Sequence, residues 1–499
     1  MANIYSKPVN FPSDEDAARL KTLSRLEKLY TGQHFKVFGM KDYFKASDIN
    51  KGKMYIALNL CALISEYYAD MIIGDGVYFD VPNEGEDGKE LQKSINEIVE
   101  RNDLDRRLFE VAVTQSKSGF GVIRVAKDDI TGEALIQEVP VDQYFPVWSG
   151  AIDPKMTECT LASYIDLADE KGKTKEYIYK QIYSYTVNGS VYLEHQLWST
   201  KSIANADGTY GKHQDARKPI SLFDSSLTDG VIDGITQIPV FKIDNIRGSG
   251  SIYGKSDYDD ISDLIAEINN RITQISIQLV KNLNAKLAVP RGTITDDGTV
   301  QSTGTELFEV GEGEGAFVPK FILNENPLIK EGFNQIEDLT RQVSAITKIP
   351  MDVFGIDTKG GAERVEAMRM RLWNTLRKAT RKRIYFDKTL KNIIRMCVKV
   401  ETGMDVDSDI KVVWSDILPE DKLEKTEMLV SQVAGGLKSP KKAVKELQDL
   451  DDADLEEEMA MIEEAASNGV QAFAEKFVGA KDKGRSDELL ANNSKNVPE

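Results

Sequence analysis

Apolar residues recur at three- and four-residue steps through much of this chain, the period of helices packed on one side. Leu20, Leu23, Leu26 and Leu29-Tyr30 predict a helix over 14–33, with Thr31-Gly32 at its end. Ile56, Leu60, Leu63, Ile64, Tyr67 and Ile72 predict a second over 55–73, before Gly74-Asp75-Gly76 turns into the strand-like Val77–Val81. A third helix is expected over 88–117. The pattern then becomes mainly strands to about 245: Val122–Val125, Ile136–Val139, Tyr177–Tyr179, Val191–Leu193 and Pro239–Phe241. Residues 1–255 read as one mixed α+β module.

From Ser256 to Ala288 neither proline nor glycine interrupts a stripe of Ile261, Leu264, Ile265, Ile268, Ile272, Ile275, Leu279, Leu283 and Leu287. At about 1.5 Å per residue this is a rod about 50 Å long. So narrow a stripe suits lateral packing against other helices. Residues 291–325 are glycine- and acid-rich and strand-like, and 328–348 is helical again through Leu328, Ile336, Leu339, Val343 and Ile346. Two helices around a small β-rich tip make an out-and-back projection. A loop from Pro350 to Gly361 leads into a second rod, with Val365, Met368, Leu372, Leu376, Ala379, Phe386, Leu390, Ile393 and Cys397 on one stripe. Val412-Val413-Trp414 is a short strand. From Pro419 the chain is helical and acidic to about 480, with Ser439-Pro440 a cap-and-proline helix start. The last residues, about 480–499, read as a disordered polar tail.

Charge changes this picture. Residues 361–400 carry 12 Lys+Arg against three acids, a net +9 in a chain of −18, which leaves −27 on the other 459 residues. So acidic a surface argues against tight non-specific DNA binding, whose affinity comes from neutralising phosphates. It suits a surface past which a polyanion slides. The basic face (Arg364, Arg371, Arg377, Lys378, Arg381, Lys382) has three readings: a solvated face, DNA contact, or ion pairing with acidic surfaces of the same or neighbouring subunits. A ring assembly favours the last.

A chain of 499 residues is too long for one core, so several modules are expected. No apolar run reaches the roughly 18–20 residues of a membrane span, and the start lacks the pattern of a secretion signal. Cys61, Cys159 and Cys397 lie too far apart for a disulfide or zinc framework, which points to synthesis in a reducing cytoplasm.

Candidate chemistry is sparse. Gly248 to Ser256 ends in the Gly-Lys-Ser of a phosphate loop, yet Ser249 stands where such a loop needs glycine, and no βαβ unit surrounds it. A glycine hinge before a capped helix explains it better. His34, His195 and His213 leave little for a triad or metal site. Asp257, Asp259 and Asp260 read as acids favoured at a helix N-terminus rather than as a metal cluster. No catalytic residue, metal or cofactor is indicated, and the sequence points away from an enzyme.

Five motifs, in order over about 20–480, resemble those of the portal (head–tail connector) proteins of tailed bacteriophages, particularly phages of Gram-positive hosts. They are Leu29-Tyr30-Thr31-Gly32-Gln33-His34; Asn59 through Gly74; Ile238-Pro239-Val240 with Gly254 to Asp260; Ile349-Pro350, Phe354-Gly355 and Gly360-Gly361-Ala362; and Gly436-Leu437-Lys438-Ser439. Gly360-Gly361-Ala362 departs from the Ser-Gly-Val-Ala of many relatives. The resemblance implies an α+β portal fold assembled as a ring, usually a dodecamer. Its parts would be a wing (1–255), first stem helix (256–290), clip (291–327), second stem helix (328–349) and tunnel loop (350–361). A long spine helix returning to the wing (362–418), an acidic helical crown (419–480) and the tail (481–499) complete it.

The resemblance further implies a virion protein at one capsid vertex, made in the host cytoplasm, through which double-stranded DNA is packaged and ejected. Its partners would be its own copies, the terminase large subunit, a head-completion or adaptor protein, the major capsid and scaffolding proteins, and weakly held, non-specific DNA. Met351, Asp352, Val353, Phe354, Gly355, Ile356, Asp357, Thr358, Lys359 and Gly360 would form the tunnel loop facing DNA. Asp296, Asp297, Glu306, Glu309, Glu312 and Glu314 would lie in the clip that meets terminase and adaptor. The alternatives are a nucleotide-dependent DNA-processing enzyme using Gly248–Ser256, or an oligomeric scaffold without DNA.

Overall fold

The computed structural model describes residues 11–39, 55–82, 85–128, 130–150, 154–168, 174–204, 210–248, 251–283, 286–290, 306–310, 320–322, 327–356, 365–406, 409–415, 422–448, 455 and 458–462. The chain divides into two compact units, Met1–Ile417 and Leu418–Glu499.

The first unit opens with α1 (Asp14–Tyr30), α2 (His34–Phe38) and α3 (Leu60–Ile73), followed by strand β1 (Val77–Asp80). Ser13 caps α1 by accepting from the Asp16 amide at 3.1 Å, and three acids in the first turn suit the helix dipole. The stretch expected as one helix over 88–117 is two, α4 (Glu86–Arg101) and α5 (Leu104–Ser118). Asn102 breaks it. Its side-chain amide donates to the carbonyls of Ile98 and Ala134 and accepts from the Ile136 amide at 2.8 Å, while Asp103 takes φ +48°. Those bonds fasten the break to the sheet that follows.

Strands β2 (Phe120–Lys127) and β3 (Ala134–Glu138) come next. A larger antiparallel sheet then runs through β4 (Tyr144–Trp148), β5 (Met156–Ala168), β6 (Thr174–Tyr185), β7 (Val191–Ala204) and β8 (Tyr210–Lys218), with β9 (Gly230–Val231) paired to β7. On β6 the buried Lys180 meets the Phe11 ring at 3.5 Å and donates to Gln214 at 2.5 Å; burial pushes its ammonium down to about 8. Strand β10 (Val240–Asp244) returns to pair with β2, giving a sheet in the order β10-β2-β3. Its apolar face joins α3, α4, α5 and one later helix in the main core, around Ile72, Ile98, Leu108, Val122 and Ile243.

Short strands β11 (Ile246–Arg247) and β12 (Gly254–Lys255) lead to α6 (Ser262–Leu283). This helix starts later than the uninterrupted pattern suggests, because Ser256 orders a turn ahead of it. Its hydroxyl accepts from the Tyr258 amide at 3.1 Å and donates to the Lys117 carbonyl at 2.6 Å. The end of the expected helix is instead strand β13 (Lys286–Pro290), where Leu287 and Val289 alternate with the period of a strand. Strand β13 pairs in parallel with β14 (Glu306–Val310) and antiparallel with β15 (Lys320–Ile322).

Helix α7 (Pro327–Thr347) returns beside α6. Ile261, Ile265, Ile268, Val343 and Ile349 close a second core against Leu29, Ile64 and Tyr68. Helix α8 (Val365–Thr402) then packs on the main core through Phe386, Leu390 and Ile393, and β16 (Lys411–Trp414) pairs antiparallel with β1. In the second unit, α9 (Lys422–Ala434) and α10 (Pro440–Gln448) are separated by a turn with Gly436 at φ +68°. Ser439 caps α10, and Leu429 and Leu455 are buried.

Candidate functional site

The segment that follows α7 is anchored where it leaves the helix. Lys348 ends α7 in the left-handed region (φ +64°), a conformation that costs a side-chain-bearing residue energy unless its neighbours hold it. Here they do. The Lys348 amide donates to the Ser344 carbonyl at 2.8 Å, the Ser344 hydroxyl donates to the Ile349 carbonyl at 2.6 Å, and Thr375 of α8 donates to the Lys348 carbonyl. Met351–Phe354 form a single 3-10 turn closed by Gly355 at φ +77°. Val353 and Phe354 pack against the second core, and Asp352 pairs with Arg371 of α8 at 3.1 Å.

Behind this anchor lies a buried polar cluster. Asp257, its side chain 4 % exposed, accepts from Lys378 at 2.9 Å, from Ser116 at 2.7 Å and from the fully buried Lys382. Both ammoniums also sit over the Tyr68 ring, at 4.5 and 4.2 Å from its centre. Tyr68 donates its hydroxyl to the Thr347 carbonyl at the end of α7, where the helix dipole is negative. Burial opposes the Asp257 charge, but the Lys382 and Lys378 ammoniums and the Ser116 hydroxyl outweigh it and hold the carboxyl well below the usual range. Burial pushes Lys382 down to about 8 against the pull of Asp257. One carboxylate thus serves two ammoniums and ties α3, α5, the approach to α6, the end of α7 and α8 together.

Helices α6 and α7 pack beside each other with the small sheet β13–β15 between them in sequence, and the long basic α8 follows. The family model described as phage portal protein, SPP1 Gp6-like, matches residues 11–471. The chain belongs to this portal family. The comparison with curated proteins found no match. Portal proteins are bacteriophage capsid and head–tail connector components that act in genome packaging; the family implies a ring oligomer with capsid and terminase association in general, and is generally structural rather than enzymatic. Among the described residues, no helix is long and apolar enough to cross a membrane.

Within this portal chain, the expected site residues are placed unevenly. Of the expected tunnel loop, Met351, Asp352, Val353, Phe354, Gly355 and Ile356 form the anchored turn, whereas Asp357, Thr358, Lys359 and Gly360 lie outside the described residues. Of the expected clip, Glu306 and Glu309 belong to β14, and Asp296, Asp297, Glu312 and Glu314 lie outside the described residues, as does Arg364.

The residues of the expected intersubunit basic face differ in their surroundings within the chain. Lys378 and Lys382 are buried and bound to Asp257 of their own chain. Arg371 is likewise paired within the chain, to Asp352. Arg377 and Arg381 remain exposed, Arg377 stacked on the exposed Trp373 at 5.2 Å.

The phosphate-loop look-alike is structural. A side chain on Gly254 would come 2.1 Å from the Gly119 carbonyl oxygen, so the two glycines let two backbones touch. Lys255 pairs with Asp260, and Asp259 accepts from the Ser256 amide at 3.1 Å. Asp257, read from sequence only as one of three N-terminal acids, is the residue that holds the cluster. The missed signal lies in α8: Leu372, Thr375, Ala379, Phe386, Leu390 and Ile393 mark its inner stripe, and Lys382 fills the step between Ala379 and Phe386.

Proposed function

We propose that this chain is the portal subunit that forms the ring channel at one capsid vertex, through which double-stranded DNA is packaged and ejected. The family match over residues 11–471 carries the reading. The ring is proposed as a dodecamer docking the terminase large subunit, then a head-completion protein, and meeting the major capsid and scaffolding proteins. In this reading 1–255 is the wing, α6 and α7 are the stem, 291–327 the clip, 350–361 the tunnel loop, α8 the spine and 419–480 the crown. The anchored turn at Met351–Ile356 supports the loop assignment, since it gives the segment that follows a fixed base. DNA contact is assigned to the stretch around Lys359, with the acidic majority of the chain keeping contacts brief. The chain itself is proposed to hydrolyse nothing.

Negative-stain imaging of the purified protein should show rings with an axial hole. A monomer by light scattering at every concentration would overturn the proposal. ATP turnover lost in Lys255→Ala would instead revive a nucleotide-dependent enzyme, and rings that never pass DNA would favour a scaffold.

A further inference from the structure

A cavity of about 190 Å³ opens beside the Asp257 cluster, between the Lys255–Asp260 turn, the end of α7 and α8. Four cations line it: Lys255, Lys348, Lys378 and Arg381. The carboxylates that line it, Asp257 and Asp260, are both engaged. Asp260 pairs with Lys255, and Asp257 is shared between Lys378 and Lys382, which stands behind the wall. Lys348 and Arg381 have no ion-pair partner among the described residues. Counting Lys382, five cations meet two anions, a surplus of three at this recess.

We infer that this cavity receives the carboxylate of an Asp or Glu from a second copy of this chain. A duplex presents its phosphates on a broad convex surface that a recess of this size does not admit, whereas a single acidic side chain enters it. The chain also supplies the acid: outside 361–400 it carries −27, so a neighbouring copy is a dense source of carboxylates. The inference rests on the ring assembly proposed above. It puts the contact where both ends of the out-and-back projection meet α8, so a neighbour that inserts its carboxylate bears directly on the base of the loop at Lys348.

The test uses rings of the full chain assembled from equal amounts of light and isotope-heavy subunits, confirmed by imaging. Activation with a water-soluble carbodiimide should give mixed-isotope amide links at Lys348, and at position 381 also in the Arg381→Lys variant. Lys348 should acylate several-fold more slowly in rings than in dissociated subunits. Same-isotope links alone, no links, or equal acylation in both states overturns the inference. Protection that appears only after duplex DNA is added also overturns it and assigns the cavity to phosphate. A chain that forms no rings defeats the proposed function itself; rings with a freely reactive Lys348 defeat only this inference.

Discussion

The carboxylate of Asp257 and the ammonium of Lys382 meet beneath the surface although 125 residues separate them in the chain. Lys378, one turn earlier on α8, holds the other carboxylate oxygen at 2.9 Å. Asp257→Asn leaves two buried ammoniums without a counter-charge. The expected loss is about 3–5 kcal/mol, read as a lower urea midpoint. Lys382→Met removes the surplus charge and keeps the Asp257–Lys378 pair, so it should cost less. An equal loss in both variants would show that the second lysine is as necessary as the acid.

Acid should weaken the first unit through the same residue. The Asp257 carboxyl is held below its unfolded value of about 3.9, so the folded chain binds fewer protons there than the unfolded chain. Its stabilisation is therefore present above that pH and is lost as pH falls through the lower folded value. Urea unfolding between pH 5 and pH 3 should show a steeper decline in the native chain than in Asp257→Asn. Parallel declines would remove Asp257 from the account.

Lys180 gives the opposite window. Burial against Phe11 pushes its ammonium to about 8, below the unfolded value of about 10.4. Between those values the folded chain again binds fewer protons, so this residue's contribution rises with pH and is least favourable below about 8. Subtracting the thermal midpoints of Lys180→Met from those of the native chain should leave a signed difference that rises from pH 8 to pH 10.5. A constant difference would mean that the lysine titrates normally.

Neighbouring residues of the glycine-rich stretch should respond very differently. Gly254→Ala forces a methyl against the Gly119 backbone, which no side-chain rotation relieves, and should cost about 3 kcal/mol or more. Lys255→Ala removes a half-exposed ion pair with Asp260 and should change stability by less than about 1 kcal/mol. A mild Gly254→Ala would show that the two backbones have room to part.

The elements and their order were largely readable because helical and strand periods are local. Long uninterrupted stripes gave α6, α7 and α8 to within a few residues at most ends. The break at Asn102 was not readable, since it depends on the Ala134 carbonyl and Ile136 amide, more than thirty residues later. The middle of β5 was hidden for a related reason. Cys159 to Ala162 are buried in succession, so the alternation that marks a half-exposed strand is absent there. Lys382 shows the limit of charge as a guide: its place on the inner stripe of α8 was visible, but its partner lay on another element. Lysine at an inner position signals a buried acid elsewhere, and only the fold says which.

Strand β1 pairs with β16, Val77 opposite Trp414 and Asp80 opposite Lys411, so the first strand among the described residues is completed by one more than three hundred residues later. During synthesis Val77 and Phe79 emerge early and wait for Lys411–Trp414 before this pairing can form. Contacts so distant in sequence delay folding and prolong exposure of unpaired edges. A chain cut short before Lys411 keeps that edge open to strands of other copies.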